Sequence, residues 1–343
     1  MRKPFLCLLV FCCLATALSA QKVTSVLEVL DTRTGGRRVV REFDGTIEAP
    51  NWSRDGKWLI YNSGGLIYRI PADGSGEAEL VNTHGLKGCN NDHVLSADGK
   101  YIAVSSSPSE GGWGSYVYVV SLDGKELPRL VTPVSPSYLH GWSPDGKQMA
   151  YCAMRDNNTI QDVYVMNADG TGEEKRLTFA DGLDDGPEYS PNGKHIWFNS
   201  VRTGLMQVWR MNADGTKQKQ MTFDETRNAW FPHVSPNGKK VIYITYHKGD
   251  LEPGQHLANK NVELWLIPAK GGKPKRMAEL FGGQGTINVN SWAPDSRHLA
   301  FVSYRIQEEQ GRVLQNYQYL NTAENREKGF PVTWTKWKKQ FER

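Results

Sequence analysis

The chain has little cysteine. Of its five cysteines in 343 residues, Cys7, Cys12 and Cys13 fall within the first twenty positions. Only Cys89 and Cys152 remain for the body, too few for a disulfide framework. Beyond the N-terminus it also lacks any long apolar run. Arg2 and Lys3 precede an apolar stretch from Phe5 to about Leu18, followed by the small residues Ser19 and Ala20. That stretch is too short to span a bilayer and reads as a secretory signal peptide over residues 1–20, leaving no transmembrane segment after cleavage. None of its cysteines follows the small residue that a lipid-attachment site needs. One-sided charge is missing too: 41 Lys and Arg against 37 Asp and Glu give +4, scattered along the chain, which argues against a nucleic-acid partner. An apolar content of 39% and more than three hundred residues are enough for a large core in a soluble β-rich protein.

What the sequence does have is a repeat. Trp52-Ser53-Arg54-Asp55-Gly56-Lys57 recurs as Leu95 to Lys100, Trp142 to Lys147, Tyr189 to Lys194, Val234 to Lys239 and, altered, Trp292-Ala293-Pro294-Asp295-Ser296-Arg297. Positions 53, 96, 143, 190, 235 and 293 lie 43, 47, 47, 45 and 58 residues apart, and a period of about 40–50 residues is that of a β-propeller blade. An apolar strand follows each phrase. After it comes a period-two strand running into a turn, as in Val163-Tyr164-Val165-Met166-Asn167-Ala168-Asp169-Gly170. Alternation that ends in Asp-Gly is a strong hairpin signal, so each repeat supplies four antiparallel strands. The sixth copy of this second unit stands at the start, from Val26 through Gly35 into Phe43. The expected architecture is therefore all-β: a six-bladed β-propeller over residues 21–305, four antiparallel strands per blade, its ring closed by N-terminal strands that complete the last blade. Residues 306–343 form a charged and aromatic tail.

A proline, one residue, Trp/Tyr-Ser-Pro-Asp/Asn-Gly-Lys, a strand and Asn-Ala-Asp-Gly together resemble the WD40-like repeat of TolB-type propellers. Pro187 to Lys194 followed by Met211 to Gly215 is the cleanest copy. The resemblance implies an exported, monomeric binding scaffold, periplasmic or secreted, that recognises an envelope protein or peptide. TolB has a separate domain before its propeller, and the short span between Ala20 and the first strand leads us to expect a member without it. Similar blades occur in prolyl-oligopeptidase-like peptidases, whose hydrolase domain carries a Gly-x-Ser-x-Gly elbow absent from this sequence. They also occur in oligogalacturonate lyases, which makes a metal-assisted lyase or hydrolase acting on an acidic oligosaccharide the alternative.

Function is expected on the face where the repeat departs from itself. Asp and Gly of the turn phrases serve backbone geometry, and Trp52, Trp142 and Trp292 pack between blades. The connection from Tyr246 to Asn261 is longer than its equivalents and carries His247, Lys248, Asp250, Glu252, His256 and Lys260. Arg155, Arg202 and Arg305 start the matching connections in other blades, where they could fork onto carboxylates of a partner or an acidic sugar. With His93, His140, Asp185 and His233, and with Tyr138 and Trp230 as stacking surfaces, they are the expected ligand-binding set around the channel mouth. No catalytic residue and no cofactor is assigned. The metal alternatives are His93, His140 and His233 with Asp92 or Asp185, or a Ca²⁺ on oxygens of Glu48, Asn91, Asp185 and Asn288.

Overall fold

Each of the first five phrases folds into the same hydrogen-bonded turn. Asp55 Oδ1 accepts from Ser53 Oγ at 2.6 Å and from Lys57 N at 3.0 Å, while Ser53 Oγ accepts from Trp58 N at 2.9 Å. The three bonds recur at Ser96 and Asp98, Ser143 and Asp145, Ser190 and Asn192, and Ser235 and Asn237. The glycine of each turn sits at a φ of 69 to 75°, a region that a Cβ disfavours. In the altered sixth copy Ser296 takes that conformation at φ 57°, and its hydroxyl instead accepts from Asn237 N of the neighbouring blade at 3.0 Å.

These turns connect antiparallel sheets in the computed structural model, which describes residues 22–108, 114–156 and 160–307. The expected signal peptide, the tail from residue 308 onward and residues 109–113 of the blade-two connection lie outside the described residues. Blade one runs from its innermost strand Glu48–Trp52 through Trp58–Ser63 and Leu66–Pro71 to the short outer Glu79–Leu80. Blades two to five repeat that order behind innermost strands Cys89–Leu95, Ser137–Trp142, Asp184–Tyr189 and Arg227–Val234. Among the described residues no helix is long and apolar enough to cross a membrane.

Blade six joins the first and the last described strands. Lys22–Asp31 pairs antiparallel with His298–Gln307 from Lys22↔Gln307 to Asp31↔His298, and on its other edge with Arg37–Asp44. The axial position of this blade is filled by residues 286–292, which hold to the next strand through Val302 N to Thr286 O at 3.2 Å and Ala300 N to Ser291 O at 2.9 Å. The architecture is thus the six-bladed propeller read from the repeat, closed by its termini. The innermost segment of the last blade is irregular, with an isolated bridge between Trp292 and Leu299. Apolar side chains fill the gaps between blades, as where Leu59, Tyr61 and Ile70 of blade one meet Leu27, Val302 and Tyr304 of blade six.

One irregularity recurs around the ring. The innermost strand of each of the first five blades loses register with its neighbour at the same place, between Glu48 and Asn51, Cys89 and His93, Leu139 and Gly141, Asp185 and Glu188, and Trp230 and His233. A bulge bends its strand and re-aims the side chains beside it. Here it aims polar residues at the axis.

The turn makes a stability prediction. A Cβ at Gly146 meets nothing within 4 Å, so its φ of +75° alone sets the effect of substitution. Gly146→Ala is expected to cost about 1 kcal/mol and Gly146→Asn less, because Asn tolerates this region. Chemical denaturation should rank glycine, then asparagine, then alanine; an alanine variant as stable as the parent would contradict the account.

Candidate functional site

The bulged strands place two groups of polar residues on the axis. The first is a belt of hydrogen bonds that ties inner strands together. Glu188 of blade four accepts from His233 Nδ1 at 2.6 Å, Val234 N at 2.8 Å and Asn290 Nδ2 at 2.7 Å. The other ring nitrogen of His233 bonds Ile287 O at 2.5 Å. Between neighbouring blades, Asn51 donates to Asn290 O at 2.8 Å and its Oδ1 bonds His93 Nδ1 at 2.6 Å. His233 uses both ring nitrogens in this belt and His93 its Nδ1, and the candidate ligand atoms that come within 4.8 Å of one another belong to His140, Cys152 and Asp185 rather than to three imidazoles. Their blade-period spacing reflects the bulge that each strand carries.

The second group lines a cavity of about 250 Å³. Blade two contributes Asp92, blade three Tyr138, His140 and Cys152, blade four Asp185, and the closing blade Asn288. His140 Nε2 lies 3.3 Å from Asp185 Oδ1 and 3.7 Å from Asp92 Oδ1. Asp185 Oδ1 also accepts from Cys152 Sγ at 2.8 Å and from Gly186 N at 2.7 Å. Asp92 accepts from Asn288 Nδ2 at 2.6 Å and from Asn90 Nδ2 at 2.7 Å. The His140 ring stacks on Phe231 with centroids 5.7 Å apart.

One wall comes from the long connection of blade five. Strand Lys240–His247 continues beyond its equivalents and the next begins at Ala258, so the connection proper is shorter than the sequence suggests. It still carries His256 across to blade four. There His256 Nε2 lies 3.7 Å from Asp185 Oδ2, and its ring packs 4.5 Å from Trp230 and 5.1 Å from Phe231. His256 was named in the sequence only as a member of a long loop; its approach to Asp185 depends on tertiary packing.

The electrostatics follow from burying several titrating groups together. Burial alone would lower the His140 pKa, but the Asp92 and Asp185 carboxylates beside it outweigh that and raise it to about 9. Asp185, despite burial, is held well below the usual carboxylate range by the His140 hydrogen bond and charge. Asp92 is pushed up by burial, with the like charge of Asp185 adding to it. Burial and the same two carboxylates push the Cys152 thiol far up, and burial lowers His256. At neutral pH the cluster is an imidazolium set between two acids, with a protonated thiol beside it.

Of the residues expected around the mouth, the structure brings Tyr138, His140 and Asp185 together and places the others elsewhere. Arg155 forks onto Glu174, with Nε to Oε1 at 2.5 Å and Nη2 to Oε2 at 2.9 Å, and donates to Pro136 O at 2.7 Å. Arg202 pairs with Asp184 at 2.7 Å and lies over Trp209; Arg305 forks onto Glu42 at 2.6 and 3.0 Å. Arg155 and Arg202 stand on the expected connections, whereas Arg305 lies within the strand His298–Gln307 opposite Thr24, and all three guanidinium groups are engaged by the chain's own carboxylates. Trp230 is fully buried and backs His256, so it offers no open face for stacking. Both body cysteines are free and buried. A larger recess of about 460 Å³ on the turn face, between Ser96 and Trp142, brings together no comparable set of buried titrating groups.

Comparison with known proteins agrees with this architecture. Residues 134–264 match the model of the TolB β-propeller domain. An uncharacterized protein of Agrobacterium fabrum is 44% identical over 280 residues, covering 82% of this chain and 92% of that protein. A solved structure from Agrobacterium tumefaciens, provisionally assigned as TolB, superposes with a TM-score of 0.76 at 43% identity, covering 82% of this chain and 98% of the other. TolB of Acinetobacter baumannii shares the fold, with a TM-score of 0.60 at 22% identity over 77% of this chain and 65% of that one. The curated Tol-Pal system TolB of Francisella tularensis is 27% identical over 186 residues, and the match spans 39% of its length.

Two predictions follow from the polar groups on the axis. Glu188→Ala leaves the His233 imidazole and the Asn290 amide without their shared acceptor, and should cost about 3–5 kcal/mol in denaturant titration, the range for breaking a buried pair from one side. Burial pushes the Glu48 carboxyl up to about 7, Asp92 adding to this against a hydrogen bond from Asn91. An acid whose folded pKa exceeds its unfolded value of 4.5 contributes stability that is complete below that value and is lost as pH rises through 7. Glu48→Gln should therefore flatten the decline in unfolding free energy between about pH 5 and pH 8, by on the order of 2–3 kcal/mol. An unchanged slope would show that Glu48 ionises normally.

Proposed function

This chain belongs to the TolB-like β-propeller family, and from that premise we propose that it works as an exported, non-catalytic scaffold that captures a protein or peptide of the envelope at the mouth of its channel. One observation carries the reading: side chains from separate blades, delivered by a shared bulge, converge on a single polar cavity whose groups are already oriented by hydrogen bonds to one another. Such preorganisation lowers the ordering cost of binding a flexible segment. The partly exposed Tyr138, Gln161 and Gln284 at the cavity lining supply an aromatic face and two amides suited to peptide backbone.

The same groups are poorly disposed for turnover. A general base needs a pKa near working pH, and His140 is instead held as an imidazolium between two acids. The thiol of Cys152 is kept protonated by burial and donates its proton to Asp185. Neutralising the carboxylate of an acidic sugar calls for a free guanidinium, and Arg155, Arg202 and Arg305 are each committed to an internal carboxylate. Export is supported by the basic, apolar and small-residue order of the first twenty positions, and the envelope by the likeness to Tol-Pal system proteins.

Immobilised chain should retain a specific protein from envelope extract. Changing Gln161 and Gln284 to lysine should weaken that retention at least about tenfold by placing uncompensated charge at the mouth. Lys147→Glu on the opposite, turn-bearing face should leave it intact. Retention that survives the mouth substitutions, or is lost only with the turn-face change, would remove the channel mouth as the binding surface.

A further inference from the structure

We propose that His140 Nε2, Cys152 Sγ and an oxygen of Asp185 form a binding site for a divalent transition metal of the zinc class, with His256 as a fourth ligand brought across by the blade-five connection. The three potential ligand atoms of His140, Cys152 and Asp185 lie within 4.8 Å of one another, and all three residues are buried. Asp185 Oδ1 stands 2.8 Å from Cys152 Sγ and 3.3 Å from His140 Nε2. Zinc–ligand bonds of about 2.0–2.3 Å in a tetrahedron separate ligand atoms by roughly 3.3–3.7 Å. Small rotations of the carboxylate and thiol therefore open the space an ion needs; His256 Nε2 lies 3.7 Å from the other oxygen of Asp185, outside the trio itself, and joins it through rotation of its own ring.

The donor set decides the class of ion. Sulfur and imidazole with a single carboxylate suit zinc or cobalt, whereas calcium and magnesium prefer oxygen shells. It differs from the imidazole trio suggested by the blade-period spacing, because the ligand atoms close enough to share an ion are those of His140, Cys152 and Asp185. Ion entry is balanced: bonds form from the metal to nitrogen, sulfur and oxygen, while the protons of the Cys152 thiol and the His140 imidazolium leave to solvent, so two positive charges replace two. The His256 ring is partly exposed where it meets Asp185.

The inference does not depend on partner capture, and its test uses cobalt as a spectroscopic probe on the full exported chain. Addition of Co²⁺ should saturate at one equivalent and give the intense near-ultraviolet charge-transfer absorption that requires a cobalt–thiolate bond. Cys152→Ser should abolish that band, while Cys89→Ser, which removes the other buried thiol, should retain it. Asp185→Asn should keep the thiolate band but lower zinc affinity, measured against a chromophoric chelator, by on the order of 10–100-fold; His256→Ala should lower it as well. Circular dichroism of each variant reports whether the propeller has formed. Failure of the folded parent to bind Co²⁺ stoichiometrically would overturn the proposal, as would a charge-transfer band that persists in Cys152→Ser.

Discussion

The backbone pairing of the first strand with the last holds the ring closed, and every axial feature depends on it. Ten residue pairs join Lys22–Asp31 to His298–Gln307. Around them Glu28 accepts from Arg37 at 2.5 Å and from Ser303 at 2.7 Å, both within the buried part of blade six. At the rim Arg297 forks onto Asp31 at 2.5 and 3.0 Å, and Thr32 donates to Arg297 O. A sheet left open at this point would expose two unpaired strand edges and free the inner strands to splay. The belt through Asn290, Glu188 and Asn51 spans blades six, four and one, so it can form only in a closed ring.

The bulges then decide which axial residues remain for chemistry. A regular innermost strand would alternate its side chains between the two neighbouring blade interfaces, and the channel would be lined by backbone. Shifting register near the middle of the strand turns two adjacent residues toward the axis. In blades four and five the residue beyond the bulge, Glu188 or His233, is spent on interblade hydrogen bonds. In blade three the corresponding position is Gly141, whose absent side chain leaves room for the Pro187 carbonyl of the next blade: a Cβ there would lie 2.6 Å from that oxygen. With no belt donor at this point, the preceding His140 faces the carboxylates of blades two and four. A glycine in one copy of a repeat thus separates a structural histidine from a chemically available one.

Much of the fold was legible because its cause is local. The Ser, Asp or Asn, Gly and basic phrase encodes its own turn, and its period counts the blades without reference to tertiary contacts. Placement of Val26 to Phe43 against the last blade followed from counting hairpins. The candidate site was legible only in part, since a repeat reveals the level of a residue along the axis and not its partner. Arg155 and Arg202 stand on the expected connections and Arg305 falls within the last strand, but Glu174, Asp184 and Glu42 that engage them come from other segments of the same blades. Cys152 drew attention only as a thiol without a bridge. Its link to Asp185 spans 33 positions and arises from the packing of blade three on blade four.

The character of the cavity runs against the composition of the chain, and that contrast narrows what it can hold. Positive and negative side chains nearly cancel over the described residues, whereas the channel gathers Asp92 and Asp185, with Glu48 beside Asn91, around the imidazole of His140. A buried carboxylate is screened less than an exposed lysine, so at short range Asp185, held ionised beside His140, draws cations to the mouth. An anionic sugar would meet repulsion there, with the nearby arginines already neutralised. A metal dication, or the ammonium or amide groups of a peptide, would instead find partners. Burial makes such a site selective as well: a ligand must replace hydrogen bonds that the cluster already makes, so only one that offers Asp185 and Asp92 comparable charge compensation can enter.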